Sequence, residues 1–182
     1  MDNTPDHFNP IETARLRLRC PRPEDATAIS EMMTPAVSRW LASWPTPFTI
    51  AMAAERIVAA QKAVSLGMAM LFVIERRQDG IPLGWIGVVR NQPTDRSAML
   101  GYWLGEMHHG HGYMREAAPA TVASAFERLN LDAVEAAAQP DNAASFAVLR
   151  ACGMKPAGEC TVFASARGRE ELCLRYKIKP RG

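Results

Sequence analysis

Apolar positions along the first half of the chain fall into short alternating runs separated by one long helical one. Residues 15–20 set Leu16 and Leu18 between Arg15, Arg17 and Arg19, the period of a half-buried strand. Pro23, Glu24 and Asp25 then open a helix with acidic residues in its first turn, where the peptide dipoles favour them, and this helix is predicted to reach about Met33. Residues 39–48 hold Trp40, Trp44 and the turn formers Pro45, Thr46 and Pro47, so they read as a loop before a second helix over 50–66. Runs at 70–75 and 83–89 flank the turn dipeptide Asp79-Gly80, and a third run at 98–104 follows the polar turn 91–96. The three predict an antiparallel meander.

In the second half, Met114, Ala118, Thr121, Val122, Ala125, Phe126 and Leu129 recur at helical spacing, so one face of a long helix is apolar. Pro119 falls inside it and predicts a local bend, because its ring removes a backbone hydrogen bond. A short run at 134–138 is closed by Pro140. Asp141 or Asn142 can then cap a helix over 143–152 that stops at Gly153. Runs at 159–163 and 171–178 predict a hairpin around Arg167-Gly168.

The 182 residues, 48% apolar, suffice for one hydrophobic core, and a single domain over 1–182 is expected, with 1–10 a flexible N-terminus. The 21 basic and 19 acidic residues leave a net charge of +2, which gives no reason to expect nucleic acid or a membrane surface as partner. With no signal-like or membrane-spanning run, a cytoplasmic location is expected. Cys20, Cys152, Cys160 and Cys173 form no CxxC pair and read as buried free thiols.

The most informative stretch is residues 100–114, LGYWLGEMHHGHGYM. Gly110 and Gly112 sit where the strand pattern ends and the helix pattern begins. Chain of this kind exposes several N–H groups at a helix N-terminus, which can hold a phosphate or pyrophosphate. An ATP-binding reading is disfavoured, since the chain contains no GxxxxGK[ST] and the loop follows a meander instead of opening a repeated βαβ unit. His108, His109 and His111 lack a fourth ligand at recognisable spacing, so no metal is expected there; their expected place is beside the phosphates, with protonated forms adding affinity below pH 7.

Three blocks in this order, ARLRLRCPRPEDA, GYWLGEMHHGHGYMREA and DNAASFAVLRACGM, resemble the GCN5-related N-acetyltransferases (GNAT), and within them the ribosomal-protein N-terminal acetyltransferases (RimJ/RimL-like). The resemblance spans nearly the whole chain. It implies an α+β fold of three layers: a mixed, mostly antiparallel sheet of about seven strands, splayed between the fourth and fifth, flanked by about four helices. It also implies acetyl-CoA as cosubstrate, with coenzyme A as product. By resemblance the pyrophosphate motif Q/R-x-x-G-x-G/A maps to Met107, His108, His109, Gly110, His111 and Gly112, with Met107 departing from the expected Gln or Arg. The cofactor contacts so implied are made by Trp103, Leu104, His109, Gly110, His111, Gly112, Tyr113, Met114, Asn142 and Ser145. The main chain of Trp103 and Leu104 pairs with the pantetheine amides, and Asn142 points toward the pantetheine arm.

Acetyl transfer to an amine needs a neutral nucleophile, an oxyanion stabiliser and a proton for the departing thiolate. Many family members supply that proton from a tyrosine seven positions after the asparagine; here the position is Leu149. Ser145 is the remaining hydroxyl and carries the expectation of serving the sulfur, against the alternative that it bonds its own helix backbone. Glu106 is either a base acting through water or a solvated turn residue. Glu116, in the first turn of its helix, suits a structural role better than a catalytic one. Trp40 and Trp44 are either core anchors or walls of an acceptor pocket. The acceptor itself, a protein N-terminus or a small amine, is not legible, and a homodimer is a reasonable expectation from exposed strand edges near the C-terminus. A CoA-binding sensor without catalysis is the alternative that Met107 and Leu149 suggest.

Overall fold

The computed structural model describes residues 9–180. The segment expected to be flexible, 1–10, lies outside the described residues except for Asn9 and Pro10. The described residues form one eight-stranded sheet and five α-helices. In chain order these are β1 (Ile11–Glu12), β2 (Leu16–Arg19), α1 (Ala26–Met32), α2 (Pro35–Ser38), α3 (Ile50–Ser65), β3 (Ala69–Arg76), β4 (Pro82–Val89), β5 (Ser97–Leu104), α4 (Tyr113–Leu129), β6 (Ala133–Ala138), α5 (Ala143–Ala151), β7 (Lys155–Ala164) and β8 (Arg169–Ile178). The sheet order is β1-β2-β3-β4-β5-β6-β8-β7, and only the β5–β6 contact is parallel.

Alternation along the strands separates two cores. Met70, Phe72 and Ile74 of β3 and Ala98, Leu100 and Leu104 of β5 face α4 and α5, whereas Val73, Trp85 and Trp103 face α1, α2 and α3. The expected three layers and meander follow. The two-residue β1 and the four-residue α2 are additions: neither is long enough to leave a period in the sequence. Pro23–Asp25 forms a 3-10 turn ahead of α1, and α4 runs unbroken through Pro119.

A buried ion cluster ties the opening segments to the sheet. Arg19 on β2, 7% exposed, makes two 2.8 Å bonds to the Asp25 carboxylate and a 2.6 Å bond to Glu75 on β3. Asp25 also accepts from the Arg22 N–H at 2.7 Å. Burial by itself lowers the Arg19 pKa, but the bonds to Asp25 and Glu75 outweigh it and raise the value above its ordinary one.

The β7–β8 hairpin is clamped to the segment after α2. Arg167 donates to the carbonyls of Ser38 (3.2 Å) and Leu41 (3.1 Å), and the Ala166 N–H donates to Ala42. Arg167 is itself held by Glu171 at 2.7 Å, and Glu171 accepts from Gln139 at 2.6 Å. The bond from Arg167 is the largest cause that lowers the Glu171 carboxyl from its ordinary 4.5 to about 2; partial burial opposes it, and Arg169 and Gln139 add to it.

Two outcomes are expected. Asp25→Ala leaves Arg19 buried with one carboxylate fewer and should lower the free energy of urea unfolding by about 3 kcal/mol; a loss below about 1 kcal/mol would show that water or a neighbour replaces the contact. Since the Glu171 pKa is depressed on folding, its contribution is fully present above about pH 4.5 and is lost as pH falls toward 2. The difference in stability between the parent and Glu171→Gln should therefore shrink over that window and be constant above it, as read by denaturation at a series of pH values.

Candidate active site

The centre of the sheet comes apart. β5 and β6 are paired only at Ser97↔Ala133, Ala98↔Val134 and Met99↔Glu135. Beyond Met99, β5 stays in register with β4 out to Gly84↔Leu104, while β6 stays with β8 out to Ala138↔Leu174. Each strand follows its antiparallel neighbour, and the parallel edge of β5 from Leu100 to Leu104 is left open. Gly84 lets β5 lie close: a Cβ there would sit 2.2 Å from the Trp103 carbonyl oxygen. The Gly105 N–H donates to Leu83 at 2.9 Å and holds the same end down. Gly101, in the middle of the open stretch, is exposed, and a Cβ on it would meet nothing within 4 Å. Counting the short β1, the splay lies between the fifth and sixth strands.

At the end of β5 the chain turns through the 3-10 segment Glu106–His108 into α4. Gly110 (φ 78°) and Gly112 (φ 76°) both take the left-handed conformation that favours glycine. Gly112 is the N-cap of α4 and supplies no side-chain cap, so the first amides of the helix depend on an outside acceptor or on water. Tyr113 and Met114 begin that helix with their side chains buried, which leaves their main-chain N–H groups as what they can offer a ligand. The His109 ring turns back, its Nε2 donating to the Leu104 carbonyl at 2.9 Å, and so braces the loop against the strand end. For His108, burial first and then the nearby Arg76 cation lower the pKa, so its ring takes up a proton only at a lower pH than an ordinary imidazole.

Two arginines that the local pattern did not single out converge on this loop. Arg15, just before β2, donates Nη1 to the His111 carbonyl (3.0 Å) and Nε to Glu116 (2.7 Å), and its guanidinium lies 4.8 Å over the Tyr113 ring. Thr13 and the Arg15 N–H also bond Glu116, so the structural role expected for that carboxylate is the one it has. Arg76, at the end of β3, bonds Asp79 and reaches the Tyr113 hydroxyl. Two positive side chains thus flank the helix N-terminus, which suits an anion.

On the far wall of the splay, Asn142 caps α5, its Oδ1 accepting from the Ser145 N–H at 3.1 Å. The Ser145 hydroxyl does not fold back on its own helix: it lies 2.7 Å from the Tyr102 hydroxyl, which is also 3.2 Å from the Ser145 carbonyl. Sequence reasoning did not single out Tyr102, which meets Ser145 across 43 positions of chain. Leu149 is fully buried.

Beside the end of β5 lies a cleft of about 500 Å³ lined by Glu31, Met32, Thr34, Gly105, Glu106 and Met107. Thr34 donates to Glu106 at 3.1 Å. Trp44 is 7% exposed, packed edge-on against Trp85 and Trp103 with Arg56 stacked 4.3 Å above it, and so it is a core anchor. Trp40 is half-buried under Arg39. The Trp103 indole N–H is buried with no partner among the described residues. Among those residues no group of three His, Cys, Asp or Glu is placed to hold a metal, and no helix is long and apolar enough to cross a membrane. None of the four cysteines is in a disulfide, and Cys173 is buried while the other three are partly exposed.

The open edge, the uncapped helix N-terminus and the flanking arginines fit a long ligand with an anionic end and an amide-bearing arm. Comparison with known proteins agrees. The acetyltransferase (GNAT) domain family matches residues 15–155. An uncharacterised N-acetyltransferase, p20, of Bacillus licheniformis is 30% identical over 161 residues, covering 87% of this chain and 89% of its own. The ribosomal-protein-S5-alanine acetyltransferase of Vibrio fischeri shares the fold at 22% identity, with a TM-score of 0.80 over 94% of this chain and 97% of its own. RimJ of Mycobacterium smegmatis in complex with CoA-disulfide does so at 23%, with a TM-score of 0.78 over 90% and 81%. The chain belongs to the GNAT acetyltransferase family and is an acetyl-CoA-dependent N-acetyltransferase.

Proposed function

We propose that the chain is a single-domain, cytoplasmic enzyme that moves the acetyl group of acetyl-CoA to the α-amine of a protein N-terminus or to a small amine, within a ternary complex. The observation that carries this reading is the open edge of β5 that ends at the turn into the α4 N-terminus, with the Glu106 cleft beside that turn. The diphosphate rests on the amides from His109 to Met114, with Arg15 alongside. The pantetheine arm runs along Trp103 and Leu104, and Asn142 offers it the side-chain amide N–H that capping leaves over. The amine enters by the cleft, with Trp40 as a wall and Trp44 supporting the loop from the core. Ribosomal-protein acetyltransferases among the fold neighbours support a protein N-terminus as acceptor. A second copy adding to the exposed edge of β7 gives a homodimer.

The amine nitrogen attacks the thioester carbonyl, a C–N bond forms, the C–S bond breaks, and the sulfur leaves with the electron pair. The nitrogen loses a proton by way of water to Glu106, and the Ser145 hydroxyl donates a hydrogen bond to the thiolate. The hydroxyl pair at Ser145 supports catalysis over a sensor that binds acetyl-CoA without consuming it.

With acetyl-CoA and a panel of free amino acids, polyamines and N-terminal peptides, thiol release should be seen for acceptors with a free α-amine; binding of acetyl-CoA without release for any member would leave the sensor. Ser145→Ala should lower kcat about tenfold. An unchanged kcat with chemistry rate-limiting would remove that role. Gly101→Val places a branched side chain at the open stretch of β5 and should raise the KM for acetyl-CoA at least about tenfold without lowering the melting temperature, since strands favour valine.

A further inference from the structure

We propose that Tyr102 is a positioning residue for acetyl transfer: it holds the Ser145 hydroxyl so that the serine hydrogen faces the departing sulfur. The inference rests on the role given above to Ser145. Tyr102 lies on the part of β5 that has left β6, and its hydroxyl bridges to α5. The Ser145 N–H is held by Asn142 Oδ1 (3.1 Å), and its carbonyl (3.2 Å) and hydroxyl (2.7 Å) both lie within hydrogen-bond distance of the Tyr102 hydroxyl.

The two hydroxyls carry one hydrogen each, which permits two arrangements. If tyrosine donates to the Ser145 carbonyl, the 2.7 Å contact must use the serine hydrogen, which is then not free for the sulfur. If tyrosine donates to Ser145 Oγ, the serine hydrogen is free. A thiolate forming beside Ser145 selects the second arrangement, because a hydrogen bond to an anion is about twice as strong as one between neutral groups. Tyr102 gives up no proton in this. Burial raises its pKa above the ordinary 10, the bond with Ser145 only partly opposing, so both hydroxyls keep their hydrogens. The proton that the thiolate finally takes is balanced by the one the attacking nitrogen loses. Cys152, at the end of α5, is the ionisable group acting on Tyr102; burial raises its thiol to about 11, so it too stays neutral.

The test needs no acceptor. Coenzyme A bound to the purified protein is titrated by thiolate ultraviolet absorbance, with the ligand-free protein subtracted. The bound thiol should ionise at lower pH than free coenzyme A. Tyr102→Phe and Ser145→Ala should each move it back toward the free value by a similar amount, and the double variant should move it no further. With an N-terminal peptide acceptor, Tyr102→Phe should also lower kcat about fivefold and change the acetyl-CoA KM less than about twofold. A Tyr102→Phe protein that melts earlier but titrates like the parent has lost only a brace, and the proposal is overturned. Additive shifts in the double variant overturn it as well. If calorimetry detects no uptake of coenzyme A by the parent protein, the cosubstrate reading itself fails, a result distinct from either.

Discussion

The site exists because two neighbouring strands obey different partners. β5 is zipped to β4 over its whole length and β6 to β8, so the natural twist of the sheet pulls them apart once their short parallel contact ends at Met99. Main-chain groups at the centre of a sheet normally have partners, and an unpaired stretch is tolerated where water or a ligand can take their place. Here the stretch opens toward the turn that carries the paired glycines, so an edge that fits an extended arm ends at a helix N-terminus that fits an anion.

That groove would be of little use if the loop at its end were loose. Arg15 prevents this by joining Glu116, the His111 carbonyl and the Tyr113 ring in one contact set, and His109 does so from within the loop. The same contacts place positive charge beside the α4 N-terminus, where the helix dipole already favours an anion. The side chains that hold the loop are therefore the ones the proposed binding would use. The Arg19–Asp25–Glu75 cluster plays the corresponding part for the other layer, fixing the turn into α1 and hence the cleft wall at Glu31 and Met32.

Whatever repeats locally could be read from the sequence. The alternating runs gave β2, β5 and β8, the apolar runs around Asp79-Gly80 gave β3 and β4, helical spacing gave α4, and the caps at Asn142 and Gly153 gave α5, each with an end within a few residues of the observed one. The glycine pair marked the loop. Contacts between distant segments left no such mark. Tyr102 and Ser145 are 43 positions apart, and Arg15 and Glu116 are 101 apart; in the sequence the first is one more strand aromatic and the second one more alternating arginine. β1 was invisible because two residues have no period, and β7 runs four residues earlier than its apolar core because Pro156 and Gly158, at an edge with a register shift, hide the strand. Trp44 could be assigned to core or pocket only once Trp85 and Trp103 were placed against it.

The distribution of polar groups around the splay also bears on which amine the site is built for. Glu106 is exposed and held by a single bond from Thr34, a modest provision for a base. Deprotonating an α-amine at pH 7 costs about 1.4 kcal/mol, against about 4.6 kcal/mol for a lysine side chain, from their ordinary pKa values. On the side proposed for the leaving group the provision is greater: Ser145 is held through its N–H by Asn142 and through its hydroxyl by Tyr102. With Ser145 at the sulfur and Glu106 at the nitrogen, as proposed, a site rigid on the first side and loosely furnished on the second suits an acceptor that arrives nearly ready to react, and an N-terminal amine is of that kind.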